Sequence, residues 1–172
     1  MNEHLELVRE VKGMNIRRWL STFFVICLLT ASANAVDTND ADLMDNLWDK
    51  VIQLEKDTLS VQRSQVGEAR ECLNSLGNNL ELISIRIEGL NVMVTIASLM
   101  LDKSDEKTVL KYLNKVATGF LKYVEQGRDE INSIARARYC SSNKIVVAKA
   151  QEIVGFYDEG TSVVRSIMTK AQ

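Results

Sequence analysis

The residues best suited to chemistry in this 172-residue chain are few: one histidine, His4, and three cysteines, Cys27, Cys72 and Cys140. No imidazole follows residue 4. A Ser-His-Asp or Cys-His triad needs an imidazole to move protons, and a Glu-x-x-His di-iron bundle or a His-ligated haem or zinc needs one to bind metal. Those chemistries are excluded downstream of His4, and no catalytic residue, cofactor or metal site is expected there. Cys72 and Cys140 stand apart rather than in a C-x-x-C, and two thiolates are too few to close a zinc site. In an oxidising compartment they are expected to pair as one intramolecular disulfide.

Carboxylates and basic residues come next. Asp37, Asp40, Asp42, Asp45 and Asp49 crowd one short stretch, where they could hold a divalent cation or a basic partner. Acids in a first helical turn complement the helix dipole, and no glycine sits where a calcium loop needs its sharp turn, so a solvated helix start accounts for them. Asp129-Glu130 and Asp158-Glu159 are adjacent pairs, and neighbours on a helix point in different directions, which disfavours joint acid-base work on a glycan. Lys107, Lys111, Lys115 and Lys122 run beside Tyr112 and Tyr123, a pattern that can hold nucleic acid or anionic lipid. Glu106, Glu125 and Asp129 dilute that stripe and the formal net charge is −2, so a solvated face is expected and no nucleic-acid partner.

Cys27 lies in a different setting. Arg17-Arg18 precede an apolar run from Trp19 to Leu29, and small residues follow to Ala33-Asn34-Ala35. That is the basic, apolar, small-residue order of a secretory signal peptide, with cleavage expected before Val36. The run is shorter than the roughly 20 apolar residues of a membrane span. Ser21 interrupts a twin-arginine reading, and Phe24-Val25-Ile26 lack the small residues of a lipoprotein signal, so Cys27 leaves with the leader. Met14 offers an alternative start that makes residues 1–13 an extension. The expected organisation is therefore a leader over 1–35 and one domain over 36–172. No N-x-[ST] sequon follows residue 35, which favours a bacterial periplasmic or secreted protein.

Helical periodicity dominates the remainder, and proline is absent from the chain. Leu80, Ile83, Ile87, Leu90, Val94, Ala97 and Leu101 alternate at spacings of three and four. So do Leu110, Leu113, Ala117, Phe120, Val124, Gly127, Ile131 and Ile134, and again Val146, Ala150, Ile153, Tyr157, Gly160, Val164 and Ile167. Leu43, Leu47, Val51 and Leu54 begin a stripe that shifts phase to Leu59, Val66, Ala69, Leu73 and Leu76, which signals a change in winding or partner. Gly77-Asn78-Asn79 suits a helix end, Ser104 an N-cap with acids after it, and Ser141-Ser142-Asn143 another cap. Helices are predicted near 39–76, 80–101, 104–139 and 143–170. Short connections make neighbours antiparallel, so the predicted fold is all-α, an up-down-up-down four-helix bundle of long helices. The rival is a long helical hairpin with one additional packed helix, because the 3-4 phase from Leu59 also runs through Gly77 into Leu101.

Gly127 and Gly160 occupy core positions, where glycine costs about 1 kcal/mol against alanine. They either make room for Phe156 and Tyr157 or leave a cavity for a small apolar ligand. The functional expectation is a non-enzymatic exported bundle that binds another protein or a cell-envelope component. It has no stable membrane span after cleavage, and nothing in the chain opposes a homo-oligomer. The alternatives are a carrier or sensor of an apolar ligand near Gly127, Phe156, Tyr157 and Gly160, and a carboxylate-dependent hydrolase.

Overall fold

A computed structural model of the chain describes residues 36–99 and 103–171, with no side-chain description at 103 and 104. Residues 1–35, expected from the sequence to be a leader and including His4, Cys27, Ala33 and Ala35, lie outside the described residues; Val36 is the first within them and is buried. Five helices follow: α1 (Thr38–Ser64), α2 (Gly67–Leu99), α3 (Lys103–Arg136), the one-turn α4 (Arg138–Ser141) and α5 (Lys144–Lys170). The four long helices run about 40–50 Å at 1.5 Å per residue.

Cross-helix bonds fix the directions. Asn91 donates to Asp45 at 2.6 Å and Gln62 to Asn74 at 3.0 Å, so α1 runs antiparallel to α2. The Arg86 guanidinium lies 4.1 Å over the Tyr123 ring, which pairs α2 with α3. Arg128 pairs with Asp158, and Asn114 donates to the Ala171 carbonyl at 3.4 Å, which sets α3 against α5. Lys50 pairs with Glu159, and Lys170 donates to Asp40 at 2.7 Å, which returns α5 to α1. The long helices form an up-down-up-down four-helix bundle, as the short connections predicted. Its core is one continuous apolar cluster fed by all four, including Leu47, Leu76, Ile83, Ile87, Phe120, Ile153 and Tyr157.

Two helix limits differ from the sequence expectation: the predicted 104–139 helix ends at Arg136, and the larger difference lies between the first two helices. The first turn is at Gln65-Val66, and α2 runs unbroken through Gly77-Asn78-Asn79. Gly67 takes φ +59°, the left-handed conformation that favours glycine, and so lets the chain reverse within two residues. Leu59 and Val66, assigned to the stripe from sequence, are exposed there. The Asn79 side chain does not stop α2, because it bonds back to the Ser75 carbonyl at 3.1 Å. The uninterrupted Leu73-Leu76-Leu80-Ile83 stripe buries its face throughout, which outweighs the low propensity of Gly77 and Asn78.

Two helix starts are capped by side chains next to them. Asp37 and Asp40 form a reciprocal capping box at the start of α1, with bonds of 3.0 and 3.2 Å. Asn143 accepts from Ile145 and Val146 at the start of α5, where a cap was expected. The chain leaves α3 at Arg136, and α4 folds over the end of the bundle without a side-chain cap.

Candidate interaction surface

Cys72 and Cys140 are joined, with their Cα atoms 5.9 Å apart. The helix limits around the bond differ from the predicted 39–76 and 104–139. Cys72 belongs to the start of α2, not to the end of the first helix. Cys140 is not carried outward along α3, because the chain breaks at Ala137 and α4 turns it back over the pole where α2 begins.

The glycine notches hold protein side chains. A Cβ on Gly127 would stand 2.8 Å from Tyr157 Cε2, so the Tyr157 ring takes that space. Gly160 lies against Phe120 and Leu47. Tyr157 is fully buried and its hydroxyl donates to the Asn79 carbonyl at 3.3 Å, so one side chain of α5 is locked to both α3 and α2. Burial, helped by nearby Tyr123 and Glu130, pushes the Tyr157 phenol above its ordinary value. Phe156 instead turns towards a groove with Lys50, Gln53, Leu54, Asp57, Glu152 and Glu159, and meets Tyr157 edge-on at 6.4 Å.

The charged residues singled out above are dispersed. Asp37 and Asp40 cap α1, Asp45 accepts from Asn91, and Asp42 and Asp49 face solvent. Asp158 turns to Arg128 on α3 and Glu159 to Lys50 on α1, so this adjacent pair diverges. Lys107, Lys111, Lys115 and Lys122 are all exposed, as is Tyr112, whereas Tyr123 lies half-buried beneath Arg86. Among the described residues no group of three or more His, Cys, Asp and Glu could hold a metal ion.

What the sequence reading did not single out is a second apolar run on α2. Leu82, Ile85, Val92, Ile96 and Leu99 are 42–67% exposed, with exposed Gly89 between them. Their spacings are three, four, three, four and three, and they lie two residues out of phase with the buried Leu80-Ile83-Ile87-Leu90-Val94 run. Two residues are about 200° around a helix, so α2 is apolar on two opposite faces. One faces the core of the bundle and the other faces water. Among the described residues α2 is the helix apolar and long enough to cross a membrane by composition alone, yet only 39% of its apolar window is buried. The signal was present in the sequence as two interleaved heptads, but periodicity does not say which face meets the core. Exposed apolar surface grouped on one helix face is where interaction sites are commonly found.

This chain matches no family model, no curated protein and no solved structure. The functional argument therefore rests on the surface itself.

Proposed function

We propose that this is an exported, non-enzymatic bundle whose outer α2 face docks a protein in or beyond the cell envelope. The observation that carries this reading is the stripe Leu82, Ile85, Val92, Ile96 and Leu99, exposed on a helix whose opposite face is fully engaged in the core. Full burial of such a side chain is worth about 1.5–3 kcal/mol, and with these five 42–67% exposed roughly half of that is left for a partner to recover at each. Export rests on the leader sequence and is supported by the Cys72–Cys140 bond, since disulfides persist in oxidising compartments. The carrier alternative loses its motive where Tyr157 fills the Gly127 notch, and the hydrolase alternative where Asp158 and Glu159 part.

Two experiments test the reading. N-terminal sequencing of exported protein is expected to start at Val36; a start at Met1 or Met14 defeats the export reading. A photo-reactive side chain at Val92 is expected to crosslink a protein in intact cells, and one at exposed Lys115 on α3 is not. Equal yields from the two positions would remove the α2 face from consideration.

A further inference from the structure

Resting on that docking reading, we infer that the occupant of the α2 face is a second copy of this chain, with the two α2 helices antiparallel. The stripe reads Leu82, Ile85, Gly89, Val92, Ile96, Leu99, which is close to a palindrome in size and shape. A two-fold axis between Gly89 and Val92 sets Leu82 against the partner's Leu99, Ile85 against the partner's Ile96, and Gly89 against the partner's Val92. Under a two-fold each contact occurs twice, so one helix supplies both halves of the interface. The pairs match leucine with leucine and isoleucine with isoleucine, and at the centre the exposed Gly89, with nothing within 4 Å of a Cβ there, faces a valine.

The seven-residue recurrence of Leu82-Gly89-Ile96 and of Ile85-Val92-Leu99 is the seam that helices use to pack along their length. It spans about 25 Å at 1.5 Å per residue. The flanks agree with the antiparallel arrangement. Arg86 falls beside the partner's Met93 and Glu88 beside the partner's Thr95, so neither meets a like charge. A parallel pairing places Gly89 on the partner's Gly89, which opens a void at the middle of the seam. A membrane surface fits less well. Helices that lie on lipid carry Lys and Arg along their polar flanks, whereas this stripe is bordered by Glu81 and Glu88, and its nearest cation, Arg86, is stacked on Tyr123.

The test uses the exported protein with its disulfide intact. Sedimentation is expected to give twice the chain mass, falling to the single-chain mass in Ile85→Glu but not in Val66→Glu, whose site is exposed outside the stripe. Ile85 projects into solvent, so the variant's helical circular dichroism should be unchanged. Orientation is read from Leu82→Cys and Leu99→Cys proteins treated with a short bis-maleimide. Mixed together they should crosslink as a pair, and each alone should not, because equivalent positions lie about 25 Å apart along an antiparallel seam. A dimer that survives Ile85→Glu, or a self-crosslink at Leu82 alone, overturns the inference. A monomer at the highest soluble concentration also overturns it. In that case a Val92 photo-crosslink to a different protein leaves the docking reading intact, whereas its absence sinks both.

Discussion

The Tyr157 ring occupies the volume in which a side chain at Gly127 would have to stand, with Cε2 2.8 Å from the position of a Cβ. Gly127 is therefore fixed by a close approach between α3 and α5. Gly127→Ala should destabilise the bundle by about 1–3 kcal/mol in denaturant unfolding, despite alanine's better helix propensity. Gly89→Ala should stabilise the chain by about 1 kcal/mol, because a Cβ there meets nothing and the helix gains. Removing the ring in a Tyr157→Leu background should erase most of the Gly127→Ala penalty, a coupling that a double-mutant cycle measures. Equal effects at the two glycines would show that the notch is not filled.

The same tyrosine predicts an alkaline limit. Burial raises the phenol's pKa in the folded state, so above its ordinary value of 10 the unfolded chain loses the proton first. Its contribution to stability is complete below pH 10 and is lost as pH rises through the folded value. Tyr123 acts in the same direction, its pKa raised chiefly by burial. Helical circular dichroism and tyrosinate absorbance should therefore change together above pH 10. Tyr157→Phe should cost about 0.5–1.5 kcal/mol at neutral pH through the lost bond to Asn79, and should flatten the alkaline decline. An unaltered alkaline profile in Tyr157→Phe would place the sensitivity elsewhere.

The same arrangement explains why parts of the fold were legible in the sequence and others were not. The stripes that run through Phe120 and Ile153 each keep one phase, and α3 and α5 fall close to their predicted limits. At Gly77-Asn78-Asn79 two local rules conflicted. Gly and Asn argued for a helix end, while the 3-4 phase argued for continuity. Continuity prevailed because Leu73, Leu76, Leu80 and Ile83 are all buried. The real turn at Gln65-Val66 depends on Gly67 adopting positive φ, and a glycine alone does not announce its conformation. The exposed run on α2 was legible as a pattern but not as a surface, because it interleaves with an equally regular buried run.

Lys170 at the end of α5 pairs with Asp40 at the start of α1. The Asp40 carboxylate is fully buried, closes the capping box with Asp37 and receives the Lys170 ammonium at 2.7 Å. That hydrogen bond raises the Lys170 pKa above 10.5, so the pair's contribution is complete below that value and fades as pH rises through the folded one. Lys170 is half-exposed, which limits what the pair contributes through solvent screening. Lys170→Ala should cost about 1 kcal/mol, mainly by leaving Asp40 buried without its cation. Asp40→Ala should cost more, about 1–2 kcal/mol, because the cap is lost as well. Equal losses in the two variants would mean that the capping half of Asp40's role is empty.

The last prediction separates two consequences of the Cys72–Cys140 bond. Its separation of 68 residues closes a long loop, for which the chain-entropy account gives about 4 kcal/mol, acting mainly on the unfolded state. The bond also has a local task. Helix α4 is four residues long, lacks a side-chain cap at Ala137 and cannot persist by its own hydrogen bonds. Buried Cys140 is the covalent tie that holds it to α2. In the Cys72→Ser/Cys140→Ser protein, global stability from denaturant titration should fall by up to about 4 kcal/mol. Hydrogen exchange under native conditions should show residues 137–143 losing protection well before the middle of α3, because a one-turn helix then opens by itself. Uniform loss of protection across the bundle would make the bond an entropic restraint alone. Peptide mapping of the native protein without reduction checks the premise, and two free thiols there would remove both effects together.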